Sequence, residues 1–135
     1  GVVVNIEYGN GIFIATSSTA DPRLAFSYDG IHWSITASSQ LVKYLAASIA
    51  YGNGVFVVLG KDVIGDFKLI YSTNGINWTL ASSFSNIITN SSGIGLQCRV
   101  RFLNGKFIVY RKGDDKVLKS VKYSEANIKS ILNQY

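Results

Sequence analysis

The sequence predicts an all-β chain assembled from three tandem copies of one antiparallel four-stranded unit, and three observations predict it. The stretch Tyr8-Gly9-Asn10-Gly11-Ile12-Phe13-Ile14 recurs as Tyr51-Gly52-Asn53-Gly54-Val55-Phe56-Val57, and again, altered, as Phe102-Leu103-Asn104-Gly105-Lys106-Phe107-Ile108. Ser27-Tyr28-Asp29-Gly30-Ile31-His32-Trp33 is echoed by Ser72-Thr73-Asn74-Gly75-Ile76-Asn77-Trp78 at nearly the same spacing. The segments between these signatures are short and crowded with aromatic and β-branched residues, and the one proline, Pro22, falls in a connection. Self-similarity at a nearly constant interval marks a repeat architecture. No segment before residue 120 carries helical periodicity.

The first copy is expected over residues 1–45, the second over 46–95 and a degenerate third over 96–135, all within a single repeat domain. In the second copy the strands are expected at Ala47–Tyr51, Val55–Leu59, Phe67–Ser72 and Trp78–Ala81. Asn10-Gly11, Asn53-Gly54 and Asn104-Gly105 mark the turn between the first two strands, because a tight primed turn needs positive φ at both central residues. Asp29-Gly30 and Asn74-Gly75 offer the same chemistry between the third and fourth strands. The third copy decays after an expected strand at Val117–Tyr123, with no glycine or tryptophan at the corresponding places. Ile128, Ile131, Leu132 and Tyr135 follow a helical spacing with Ser124 available as N-cap, which predicts a short amphipathic helix over 125–134. A ragged fourth strand is the alternative.

The pattern Ser-x-Asp-Gly-x-x-Trp closely resembles the Asp-box, or BNR repeat, of sialidases and of many bacterial and phage propeller proteins. The Tyr-Gly-Asn-Gly-x-Phe element is similar to the first hairpin of such blades in large surface and phage tail proteins. The resemblance covers about residues 5–82 strongly and 97–123 weakly. It implies three four-stranded antiparallel β-propeller blades forming a partial propeller. The first box matches at Ser27, Asp29, Gly30 and Trp33. The second matches at Ser72, Gly75 and Trp78 but carries Asn74 where aspartate is usual. The chemistry of these residues is structural. An aspartate or asparagine side chain accepts hydrogen bonds from amides two residues on. Serine is expected to bond across the hairpin, glycine to take the positive φ, and tryptophan to pack beneath the turn.

In a four-stranded meander the first and third turns share one end, so the Asn-Gly turns and the boxes lie together. The opposite end carries the loops Thr16–Arg23, Gly60–Asp66 and Arg111–Lys116, with connections near Ser38–Leu45 and Ser82–Gly95. These segments vary between copies, and variable loops on a repeat scaffold are where function concentrates. Their polar and aromatic residues Asp21, Arg23, Tyr44, Lys61, Asp62, Asp66, Lys112, Asp114 and Asp115 are the candidate ligand residues. The resemblance to sialidase-like propellers implies the same end.

Composition and chemistry narrow the function classes. The formal net charge is +5, concentrated between Arg99 and Lys129. Such a face attracts anions at long range, yet a solvated strand face explains it as well, and single-stranded nucleic acid would want interleaved aromatic platforms that are absent. Nucleic acid is therefore not an expected partner. No apolar run approaches the roughly 18–20 residues that cross a bilayer as a helix. Cys98 is the only cysteine, which excludes an intrachain disulfide. With no methionine, even at position 1, the expectation is a processed piece or fragment of something longer, with removal of the initiator as the alternative.

An enzyme is not expected. Sialidases clamp the substrate carboxylate with three arginines from separate blades and use a tyrosine backed by a glutamate. Here the arginines are Arg23, Arg99, Arg101 and Arg111, two of them on one strand, and the only glutamates are Glu7 and Glu125. Asp29 has no partner carboxylate at a fixed local spacing. His32 is the sole histidine, which leaves a zinc site or a serine triad without parts. Asp62, Asp66, Asp114 and Asp115 lack the spacing of a calcium loop. No metal or cofactor is expected. The resulting expectation is a non-catalytic recognition module for a glycan or host-surface receptor, extracellular or virion-associated, as in a phage tail. Further blades or subunits are expected to join through exposed sheet edges. A purely structural virion component is the alternative, and a severed sialidase-like glycosidase propeller the third reading.

Overall fold

The computed structural model describes residues 3–17, 24–36, 42, 45–61, 67–83, 98–111 and 116–122. The Asn-Gly pairs act first. Asn10 and Gly11 have φ of 52° and 79°, Asn53 and Gly54 47° and 85°, and Asn104 and Gly105 50° and 76°. Asparagine tolerates this left-handed region through its short polar side chain, and glycine enters it without steric cost. Each pair therefore reverses the chain in two residues, with a right-handed twist that suits the flanking strands.

Three antiparallel sheets result. In sheet 1, β1 (Val3–Gly9), β2 (Ile12–Ser17), β3 (Leu24–Ser27) and β4 (Ser34–Ile35) pair in sequence order. In sheet 2, β5 (Leu45–Gly52), β6 (Val55–Lys61), β7 (Phe67–Ser72) and β8 (Thr79–Ser83) repeat that order. Sheet 3 holds β9 (Cys98–Leu103), β10 (Lys106–Arg111) and β11 (Lys116–Lys122), three strands among the described residues. The copying extends to an irregularity. β1 skips register between Val3 and Asn5, and β5 does so between Ala46 and Ser48, the equivalent place. Observed strands run longer than expected at β5 and β6. β8 starts at Thr79, because Trp78 leaves the ladder to bury its indole. The helix expected over 125–134 lies outside the described residues, among which there is no α-helix.

Sheet 2 is sandwiched. Along β6, Val55, Val57 and Leu59 join the cluster shared with Val100, Phe107 and Val109 of sheet 3. The alternate residues, Phe56 and Val58, join Ile12, Ile14 and Leu24 of sheet 1. A strand with a period of two thus feeds two cores, and β6 is buried from Val55 to Gly60 for that reason. Full burial of a side chain such as Phe56 contributes roughly 1.5–3 kcal/mol. The first strands adjoin in the order β1, β5, β9.

The aromatic-glycine motif now has a physical meaning. Tyr51 packs on Phe56 of its own sheet, ring centres 4.5 Å apart, as Tyr8 packs on Phe13 at 4.5 Å and Phe102 on Phe107 at 4.9 Å. The ring then lies over the glycine that ends the first strand of the preceding sheet. A Cβ placed on Gly9 would come within 2.5 Å of the Tyr51 ring, and one on Gly52 would enter the Phe102 ring. The glycine is the seat and the next copy's aromatic ring is its occupant.

Candidate functional site

The two Ser-x-Asp/Asn-Gly turns are matched bond for bond. Ser27 Oγ accepts hydrogen bonds from the Gly30 amide at 2.8 Å and the Asp29 amide at 3.3 Å, and its hydroxyl donates to Asp29 Oδ1 at 3.0 Å. Asp29 Oδ1 accepts from the Ile31 and His32 amides, both at 2.8 Å. Ser72 Oγ repeats the pattern with Gly75 at 2.8 Å and Asn74 at 3.3 Å, and Asn74 Oδ1 accepts from Ile76 and Asn77 at 2.9 Å. The serine bonds within its own turn and not across the hairpin as expected, because the tight reversal points the amides two and three residues on at its hydroxyl. Gly30 and Gly75 both have φ of 77°. Of the Ser27 and Asp29 side-chain oxygens, Ser27 Oγ and Asp29 Oδ1 hold the backbone of the turn, which leaves Asp29 Oδ2.

That remaining oxygen, Asp29 Oδ2, meets His32 Nδ1 at 2.7 Å on the surface. The His32 side chain, then the His32 and Ile31 amides and the Ser27 hydroxyl, hold the Asp29 carboxyl well below its usual range. A carboxyl lowered in the folded state stabilises above its ordinary pKa and loses that contribution as pH falls. The second turn, with Asn74, has no such dependence. Two results follow from the matched bonding. Asp29→Asn is expected to lower the unfolding midpoint near neutral pH, where the ionised carboxylate contributes, and to leave it almost unchanged in acid, because Asn74 already shows an amide holding the same backbone amides. Ser72→Ala strands the buried Gly75 amide and costs about 1–3 kcal/mol in urea unfolding.

The tryptophans diverge. Trp78 is 6% exposed, packs near Phe56 and donates from Nε1 to the Gly75 carbonyl at 3.2 Å. Trp33, expected to pack beneath its turn in the same way, is 39% exposed. The cause is position in the stack: the face of sheet 2 that carries Trp78 is covered by sheet 1, and nothing described covers the corresponding face of sheet 1.

A different feature gathers chemistry. A cleft of about 430 Å³ opens along the first strands and is lined by Asn5, Ser48, Ile49, Arg99, Val100, Arg101 and Tyr110. A smaller one, about 210 Å³, shares Ile49, Val100 and Arg101 with it and adds Glu7, Tyr51 and Phe102. Both are built from equivalent repeat positions. Asn5, Ser48 and Arg99 correspond across the three copies, and so do Glu7, Ala50 and Arg101. Arg99 pairs with Tyr110 and Arg101 with Ile108 across β9 and β10, so Arg99, Tyr110 and Arg101 share one face of sheet 3. Ser48 belongs to the frame: its Oγ accepts from the Val100 amide at 3.1 Å and donates to the Val100 carbonyl at 3.4 Å, clipping sheet 2 to sheet 3.

Two guanidinium groups on alternate residues of a strand, beside a phenol and an amide, can hold a carboxylate or phosphate through charge-assisted hydrogen bonds. Glu7 brings the opposite charge into the smaller cleft, and partial burial pushes its pKa up. A carboxyl raised in the folded state favours folding when protonated and opposes it once pH rises through its titration range. Glu7→Gln is therefore expected to raise the thermal midpoint near neutral pH. The gain shrinks to nothing as the pH falls below the range where Glu7 titrates.

Of the sequence-derived ligand residues, only Lys61 lies among the described residues, half-buried at the end of β6. Asp21, Arg23, Tyr44, Asp62, Asp66, Lys112, Asp114 and Asp115 lie outside them. Among the described residues no cluster of three His, Cys, Asp or Glu side chains could hold a metal ion. No described helix is long and apolar enough to cross a membrane. In the sequence Asn5 carries no distinguishing signal, and Glu7, Arg99 and Arg101 count only against a sialidase site or as net charge, so none of them stands among the expected ligand residues. Aligning the three first strands reveals them, since Ser48 and Ala50 give way to arginine at 99 and 101. No protein-family model matches the chain, and a search of curated proteins found no match to it either.

Proposed function

We propose that the chain is part of an Asp-box-type β-propeller, three blades of it, and serves as a non-catalytic recognition module for a glycan or host-surface receptor. Its setting would be extracellular or virion-associated, as in a phage tail. The observation that carries this reading is the cleft where Arg99, Arg101 and Tyr110 converge along the first strands, framed by sheets locked to one another. A rigid frame holding cationic and aromatic groups suits an acidic sugar, whose carboxylate takes a guanidinium while its ring stacks on a phenol. The described residues offer no acid-base pair or nucleophile-base pair within this cleft, so binding is the chemistry it supports.

The test is a glycan array and host-cell binding with the intact chain. Acidic glycans are expected to bind, and Arg99→Ala with Arg101→Ala to weaken that binding about 10- to 100-fold, the worth of one or two charge-assisted bonds. Binding unaffected by these substitutions would move the ligand site to the variable loops. No binding at all would leave the second reading, a structural component of an assembly. The specific observation that favours it is the apolar face of sheet 1, on which Ile6, Tyr8, Ile31 and Trp33 are exposed.

A further inference from the structure

The chain holds four Asn-Gly dipeptides, Asn10-Gly11, Asn53-Gly54, Asn74-Gly75 and Asn104-Gly105. This dipeptide can modify itself. The glycine nitrogen loses its proton and attacks the asparagine Cγ, the bond from Cγ to Nδ2 breaks, and the amide group takes up a proton and leaves as ammonia. Water then opens the resulting cyclic imide at either carbonyl, giving aspartate or isoaspartate. Glycine favours the reaction because it has no Cβ to obstruct the attack and lets the backbone rotate. The dipeptide must offer an uncommitted glycine N–H, a carboxamide free to turn onto it, and access to water.

The hairpin turns meet these conditions. Gly9 pairs with Ile12, Gly52 with Val55 and Leu103 with Lys106, so the closing bonds of each ladder run between flanking residues and leave the central amides out. Asn10, Asn53 and Asn104 are exposed, and a Cβ on Gly11 or Gly54 would meet nothing within 4 Å. Asn10 is restrained by a long bond from its Nδ2 to the Thr73 carbonyl, at 3.4 Å. The box turn of sheet 2 withholds both reacting groups. The Gly75 amide is buried and donates to Ser72 Oγ at 2.8 Å. Asn74 Oδ1 accepts from the Ile76 and Asn77 amides at 2.9 Å and from the Ser72 hydroxyl at 3.1 Å. A Cβ on Gly75 would come within 2.7 Å of Ile14, so the pair is packed against sheet 1.

From this contrast we infer that Asn53 is a self-modification site, converting to aspartate and isoaspartate without an enzyme, and that Ser72 spares Asn74 by holding the Gly75 amide. Asn104 stands in the same kind of turn, and Asn10 follows more slowly. The products act where sheets meet. Isoaspartate lengthens the main chain of a two-residue reversal, beside the Gly52 seat of the Phe102 ring. Conversion at Asn10 replaces the donor to Thr73 with a carboxylate oxygen facing that carbonyl. Each conversion lowers the net charge of +5 by one. The inference is independent of any ligand in the cleft.

The experiment incubates the full chain in mildly alkaline buffer, folded and in urea, and follows each dipeptide by chromatography and mass mapping of its peptides. In urea the four dipeptides are expected to convert at similar rates. In the folded chain Asn53 is expected to outpace Asn74 by about tenfold or more, since one committed hydrogen bond adds that much to the barrier. Ser72→Ala is expected to raise the Asn74 rate about tenfold and to leave Asn53 unchanged. Phe13→Ala destabilises the protein with Ser72 in place and is expected to leave Asn74 slow. Gly54→Ala is expected to slow Asn53 and no other site. The inference falls if Asn53 and Asn74 convert at the same rate in the folded chain, or if Gly54→Ala leaves Asn53 as fast as before. It falls too if Phe13→Ala speeds Asn74 as much as Ser72→Ala does, since general opening would then govern the reaction.

Discussion

Phe56→Ala is expected to destabilise the protein by about 3–5 kcal/mol, the range for emptying a large aromatic from a closed core. The side chain is fully buried, packed on Tyr51 at 4.5 Å and beside Trp78 at 6.3 Å, and it faces the residues of sheet 1. Its loss leaves a void between two sheets that are each held by their own ladder and cannot collapse inward without shearing. With total stability on the order of 5–15 kcal/mol for a domain, such a loss threatens folding near body temperature. Phe13 is the internal control. It is the equivalent residue, in the same aromatic pair, but on the outer face of sheet 1 and only half-buried. Phe13→Ala is expected to cost about 1 kcal/mol, near the centre of the range for ordinary substitutions. Urea unfolding of the two variants measures the difference. Equal losses would mean that sheet 1 does not cover Phe56 in solution.

Gly52→Leu is expected to cost about 3 kcal/mol, the upper end of the overpacking range. Any Cβ at this position enters the Phe102 ring, close to where the ring joins its own backbone, so the ring cannot swing clear. Sheets 2 and 3 must part, and the cluster of Val57, Leu59, Phe107 and Val109 opens with them. The chain itself carries leucine at the equivalent position, Leu103, where no further ring arrives. Phe102→Ala in the same chain is expected to recover most of the loss, a coupling that a double-mutant cycle reads directly. Strictly additive costs would show that the two residues do not meet. Gly54→Ala supplies the contrast, since its Cβ meets nothing within 4 Å and only the φ of 85° opposes it. That conformational strain is worth about 1–2 kcal/mol and is insensitive to Phe102.

The turns and the strand order were legible because their causes are local. Asn10-Gly11 and its two copies fold back wherever they stand, and the bonds that Ser72 and Asn74 accept from backbone amides in the second box span no more than three residues. The cleft was not legible. Asn5, Ser48, Arg99 and Tyr110 are scattered along the chain, and only the adjoining of β1, β5 and β9 brings them to one place. Variation between loops marks the expected ligand residues Asp21 to Asp115, and it carries no trace of a polar residue substituted into a first strand.

Local chemistry by itself determined that this chain forms antiparallel meanders with positive-φ corners, since those conformations depend on contacts within a few residues. The fate of each face was set by packing between sheets. The run from Val55 to Leu59 is apolar throughout, and its alternation says that two faces exist but not what meets either. Trp33 and Trp78 sit in matching turns, yet one indole is exposed and the other buried. Burial is set by the neighbouring sheet and not by the residue's own turn, and that neighbour comes from a different stretch of chain.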